Sequence, residues 1–212
     1  MIVELLLRGL LLTLVIWVAA FGIAVVLGIP VAAARRSRIT LLRQAASAWI
    51  TVWRAVPPLV WMFVLFFGVT FGGARLTAAT AAIVALGLVG SAYMAENYRS
   101  GLESIANGQW EAVSALALGR WVALRVIVLP QCLPVILAAT SGYAINLVKD
   151  TALASLIGVS EMTFFANDIV QRSGNGMAVF LTVGLLYVGL SIPLGLLARF
   201  VQSRFQHGGR VA

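Results

Sequence analysis

Five stretches of this chain run for about twenty residues or more without a charged side chain: 9–34, 55–74, 76–95, 126–148 and 173–198. A helix needs roughly 20 apolar residues to cross the hydrocarbon core of a bilayer. Five such runs exclude an ordinary water-soluble core and predict an all-α membrane protein with five transmembrane helices. A further apolar run, 151–160, is too short to cross and reads as a re-entrant or interfacial piece. Composition agrees: 61% of residues are hydrophobic and 10% charged, with a mean hydropathy of +1.01. A soluble domain of this size needs more polar surface to cover itself. The opening MIVELLLRGLLLTLV starts like a signal peptide, but its apolar run continues too far and offers no small-residue cleavage site. It is expected to stay as the first span.

Punctuation within the runs refines them. Pro57-Pro58 suits the first turn of a helix, so the second span is expected to start there. Gly72-Gly73 predicts a turn that makes spans two and three a tight hairpin. Orientation follows from the basic residues. With the N-terminus outside and the C-terminus in the cytoplasm, the inner side carries Arg35, Arg36, Arg38, Arg43, Arg54, Arg99, Arg120, Arg125, Arg199, Arg204 and Arg210. The outer side then carries only Arg8, Arg75, Lys149 and Arg172. The inverse topology breaks the positive-inside rule.

The net charge of +8 fits that loop asymmetry better than nucleic-acid binding, because the basic residues form no long stripe. One cysteine, Cys132, and one histidine, His207, leave no intrachain disulfide, zinc set or Cys–His pair. Neither H-E-x-x-H nor G-x-S-x-G is present, which argues against an intramembrane hydrolase. No repeat or low-complexity linker divides the chain, so residues 1–212 read as one membrane domain.

Residues 97–130 are the unusual part: a charged, helical-looking stretch between two apolar runs. Asn107-Gly108 predicts a helix stop and turn. Residues 109–118 then predict a short helix with Glu111 in its first turn, where a negative charge suits the helix dipole. Gly119 is expected to end it, and a second helical stretch to run from Arg120 towards Leu129. Pro130 and Pro134 bracket the entry to the fourth span. Trp110, Val113 and Ala117 share a face by helical spacing. A helix of about ten residues is not stable alone in water. It must rest on the protein's own cytoplasmic face or dock into a partner, and the residues by themselves leave both open.

Glu111-Ala112-Val113, with Ile127-Val128-Leu129-Pro130 following at the right distance, resembles the EAA loop of permeases from ATP-binding-cassette importers. Flanking matches occur in the same order as in the polar amino-acid uptake branch of that family. Arg54-Ala55-Val56-Pro57-Pro58-Leu59-Val60 is similar to R-G-T-P-L-L-V, and Ala92-Tyr93-Met94-Ala95-Glu96-Asn97-Tyr98-Arg99-Ser100-Gly101 to A-Y-x-A-E-x-x-R-G-G. Gly108-Gln109-Trp110-Glu111-Ala112 is similar to G-Q-x-E-A, Leu129-Pro130-Gln131 to L-P-Q, and Lys149-Asp150-Thr151-Ala152-Leu153 to K-D-T-S-L. Departures are Val113 for Ala, Ala117 for the loop Gly, Ala55-Val56 for Gly-Thr, Trp61 for Gln and Ala152 for Ser. Gly119 is expected to supply the bend that Ala117 gives up.

The resemblance implies a permease subunit that moves a polar amino acid or related small solute into the cell by alternating access. It implies a bacterial inner-membrane location, a second permease subunit of the same or a homologous chain, separate ATPase subunits and an extracytoplasmic binding protein. No Walker sequence is present, so no cofactor is expected on this chain; ATP and magnesium belong to the partner. In that frame Gln109, Trp110, Glu111, Ala112, Ala115, Ala117, Gly119 and Arg120 form the ATPase-coupling segment, and Arg120 and Arg125 meet an acidic rim. Charges at membrane depth usually serve a pathway or pair internally. Arg54, Tyr93, Glu96, Asn146, Lys149, Asp150 and Thr151 are the pathway candidates. The plainer alternatives are that Arg54 anchors span two, that Glu96 pairs with Arg99, that Lys149 and Asp150 orient a turn, and that Trp49, Trp53, Trp61 and Tyr93 are packing residues. An ion-coupled secondary carrier remains the rival class; it calls for repeats with broken helices.

Overall fold

The computed structural model describes residues 2–71 and 74–206. The Gly72-Gly73 turn and His207 lie outside the described residues. The described residues are mostly helical, with one two-residue antiparallel pair, β1 (Thr70–Phe71) and β2 (Ala74–Arg75), in register Thr70 to Arg75.

Among the described residues, four segments are long and apolar enough to cross a bilayer. They are α1 (Ile2–Arg35), α4 (Ala78–Glu103), the rod Arg120–Ile157 and α9 (Gly176–Gln206). The second predicted run is not one straight span. Its helical part is only α3 (Pro58–Gly68), too short to cross a bilayer by itself, and α3 meets the preceding α2 (Thr40–Ala55) at a 98° bend. Pro58 opens α3 as expected, and the break is the work of the proline pair. A residue before proline is pushed out of the α region, and Val56 is extended at φ −104, ψ 132. The span therefore starts where expected but is helical only as far as Gly68. The bent pair counts as a fifth span only if α2 and α3 are taken together. The bend is braced by Trp53 on Trp61, ring centroids 4.2 Å apart, and by Trp49, whose Nε1–H donates to the Ser91 hydroxyl at 3.0 Å.

The centre of the bundle is α4 against α1. Small residues let the two backbones close up. A Cβ on Gly87 would sit 2.6 Å from Ile23, and one on Gly90 would sit 2.6 Å from both Ala24 and the Tyr143 hydroxyl. Ile16, Ala20, Met62, Ala81, Ala85, Leu86 and Leu147 are buried in the core beside them. Polar tethers join the spans: Trp17 Nε1–H donates to the Ala144 carbonyl at 2.8 Å, and Tyr98 Oη–H to the Val25 carbonyl at 3.0 Å.

The rod Arg120–Ile157 is continuous, so Pro130 and Pro134 lie inside a helix rather than bracketing its entry. It comprises α6 (Arg120–Val122), a π-helical turn (Ala123–Val128), α7 (Leu129–Asp150) and a 3-10 extension (Thr151–Ile157). Pro130 has no N–H and its ring clashes with the carbonyl four residues back. The π turn takes up that misfit: the Leu129 N–H reaches back five residues, to Leu124. Most of the apolar run 151–160 thus prolongs α7, and the helix stops at Gly158, φ +88. After it, α8 (Met162–Ser173) is capped by Glu161, which is fully buried. Its carboxylate accepts from the Phe164 N–H and the Tyr187 hydroxyl, each at 2.9 Å. Gly174, φ +67, ends α8 before α9.

Candidate functional site: an exposed loop helix and a polar cavity

Two places gather the predicted residues. The first is α5 (Asn107–Ala115), on the loop between α4 and the rod. Asn107-Gly108 opens this helix instead of stopping one, and Glu111 is therefore at its fifth position, past the first turn. None of its residues is buried, and Gln109, Trp110, Glu111, Ala112, Ala115, Ala117, Gly119 and Arg120 are all exposed. A helix this short with no buried residue has little holding it within its own chain. One tether is Gln131 Nε2–H to Gln109 Oε1 at 3.3 Å.

The end of α5 corrects the expectation for Gly119. Ala117 itself adopts the left-handed conformation, φ +48. The Leu118 N–H donates to the Val113 carbonyl at 3.1 Å, and the Ala117 N–H to the Ser114 carbonyl at 3.1 Å. This is a Schellman closure with alanine where glycine is usual. Gly119 is extended, φ −60, ψ 145, and starts α6. The bend stays at 117 because the two closing hydrogen bonds fix the left-handed residue immediately after the helix.

The second place is a cavity of about 390 Å³ between α3, α4 and α7, lined by Pro58, Leu86, Val89, Tyr93, Tyr143, Asn146, Lys149 and Asp150. Tyr93 and Tyr143 stack at 5.2 Å, and the Arg54 guanidinium lies 4.9 Å over the Tyr93 ring. Four pathway candidates, Tyr93, Asn146, Lys149 and Asp150, therefore share one cavity, with Arg54 behind its aromatic wall. Such a wall beside an amide, an ammonium and a carboxylate can hold a small zwitterion with an apolar or polar side chain.

The other two candidates lie elsewhere. Thr151 is fully buried and donates to the Val148 carbonyl at 2.6 Å. Glu96 pairs with Arg99 at 2.7 Å, and Arg99 also binds Glu103. Tyr143 was missed, although Tyr143, Asn146 and Asp150 follow the three- and four-residue spacing of one helix face. Pro58 was read only as a helix start, yet it faces the cavity.

Comparison with known proteins decides the family. Residues 24–207 match the family described as "Binding-protein-dependent transport system inner membrane component". The chain belongs to that family. It is 32% identical over 200 residues to "Probable amino-acid ABC transporter permease protein YckA" of Bacillus subtilis, covering 94% of this chain and 88% of that one. It is 28% identical to the glutamate/aspartate import permease protein GltK of Escherichia coli, covering 94% and 92%. Among solved structures it is similar to that of an amino acid ABC transporter with histidines. There the TM-score is 0.88 and the identity 29%, over 95% of this chain and 94% of the other. The inward-facing MetNI methionine ABC transporter, 23% identical with a TM-score of 0.78, shares the fold. The protein is thus an ABC importer permease, the non-catalytic membrane subunit.

Proposed function

We propose that this permease carries a polar amino acid through the cavity bounded by Tyr93, Tyr143, Asn146, Lys149 and Asp150. The supporting observation is the cavity itself, which pairs stacked aromatics with both signs of charge between spans. The names of its relatives, amino-acid permeases, point the same way. Lys149 suits a substrate carboxylate and Asp150 a substrate amine, with Asn146 able to serve either through its amide.

In this reading the bent pair α2–α3 is the second of five spans, the N-terminus is outside and the C-terminus lies in the cytoplasm of a bacterial cell. A second permease chain closes the pathway, and an extracytoplasmic binding protein delivers substrate. The exposed α5 docks in a groove of a separate ATPase, with Glu111, Gln109 and Trp110 at the contact. Movement of that groove is passed through α6 and the π turn to α7, which carries four of the cavity's residues.

The test is uptake by the full transporter reconstituted in liposomes with its binding protein. Asn146→Leu and Asp150→Asn are each expected to lower amino-acid uptake at least tenfold while the ATPase still co-purifies. Unchanged uptake in both variants would remove the cavity from the pathway.

A further inference from the structure

Beside α5 lies a second polar concavity, separate from the transport cavity, that shares Trp110 and Arg120 with the coupling segment. The turn after α1 and the segment after α5 enclose about 930 Å³, lined by Arg36, Arg38, Trp110, Leu118, Arg120 and Leu124 with three further residues. All three arginines are exposed. Among the described residues none of the three has a carboxylate within 4.0 Å, since the ion pairs there use Arg8, Arg99 and Arg172. Three like charges around one cavity repel each other, and an anion placed between them relieves that repulsion. Guanidinium forks match phosphate oxygens in pairs.

The position narrows the anion. Arg36 directly follows the end of α1 at Arg35, and Arg120 begins the apolar rod Arg120–Ile157. Both stand at an end of a segment long and apolar enough to cross a bilayer. Trp110, Leu118 and Leu124 give the cavity an apolar wall. On the same short segment Trp121 is 74% exposed and Val126 68% exposed, a pattern that suits a bilayer interface.

We infer that Arg36, Arg38 and Arg120 bind the phosphate of an anionic phospholipid, which bridges the α1–α2 turn to the coupling segment. This rests on the reading that the α5 face is cytoplasmic. A bound lipid would brace α5, whose own chain supplies few contacts, in the position from which it meets the ATPase.

The experiment is native mass spectrometry of the purified permease–ATPase complex, titrated with phosphatidylglycerol or phosphatidylcholine. Wild type is expected to retain phosphatidylglycerol preferentially. Each basic residue near an anionic surface contributes roughly fivefold, so R36Q/R38Q/R120Q is expected to lose that preference by on the order of a hundredfold. R36K/R38K/R120K, which keeps the charge and the topology signal, is expected to recover part of it. Millimolar glycerol phosphate distinguishes the sources: it should displace little lipid, and its binding in place of phosphatidylglycerol would overturn the lipid assignment. Unchanged phosphatidylglycerol retention in the Gln variant would also overturn it, as would loss of the ATPase alone, which would make the arginines a protein contact. If cavity variants leave uptake intact while lipid preference follows the arginines, the transport reading fails and this one stands.

Discussion

Ala117 shows how one side chain sets the coupling loop. An L-residue in the left-handed region costs roughly 1–2 kcal/mol, which glycine avoids. Ala117→Gly is therefore expected to stabilise the closure of α5 by about 1 kcal/mol. Amide exchange at Ala117 and Leu118, whose N–H groups close the turn, should slow about fivefold. Faster or unchanged exchange would show that the alanine carries no strain. Sequence resemblance located this residue but assigned its role to Gly119, because a glycine nearby is the obvious candidate for a bend. Only the hydrogen bonds from Ala117 and Leu118 show which residue turns. Glu161 was not legible as a site at all: its partners Thr13 and Tyr187 are distant in sequence and meet it only through folding. Burial pushes its carboxyl above the ordinary glutamate range. The unfolded chain then releases this proton first, so the contribution is largest below the ordinary pKa and fades as pH rises through the raised value. Thermal unfolding of the detergent-purified protein should show this fall, and Glu161→Gln should flatten it.

Helices α1, α4 and α9 could be placed from sequence because an uncharged run of sufficient length has few alternatives in lipid. The second run failed for a specific reason. Hydropathy reports burial in lipid or protein but not direction: the helical part of that run, α3, is only 11 residues long and lies at 98° to the amphipathic α2 across Pro57-Pro58. The rod after α5 failed in the opposite sense. Pro130 and Pro134 suggested a boundary, whereas a π turn absorbs Pro130 and the helix continues. The loop helix itself was legible as an element, with its first residue misplaced by two positions. Deleting residues 109–118 is expected to abolish co-purification of the ATPase while membrane insertion, followed by fractionation, is unchanged. Retention of the ATPase would move the coupling surface off α5.

The packed unit is organised around the close approach of α1 and α4, and the cavity depends on it. A Cβ at Gly90 would press on both Ala24 and the Tyr143 hydroxyl. Gly90→Ala is expected to destabilise the protein by about 1–3 kcal/mol, lowering its unfolding temperature, and to weaken transport by displacing Tyr143. The family, and with it the importer class, could be read from ordered motifs spread along the chain. The cavity could be read only in part, since Tyr143 and the bracing of Arg54 on Tyr93 depend on how three helices meet. The most direct measurement is uptake of amino acid by the reconstituted transporter, with ATP inside or outside the lipid vesicle as the only driving force. Uptake that requires ATP, the ATPase chain and the binding protein is the expected result. Uptake by this chain alone, driven by an ion gradient, would contradict it.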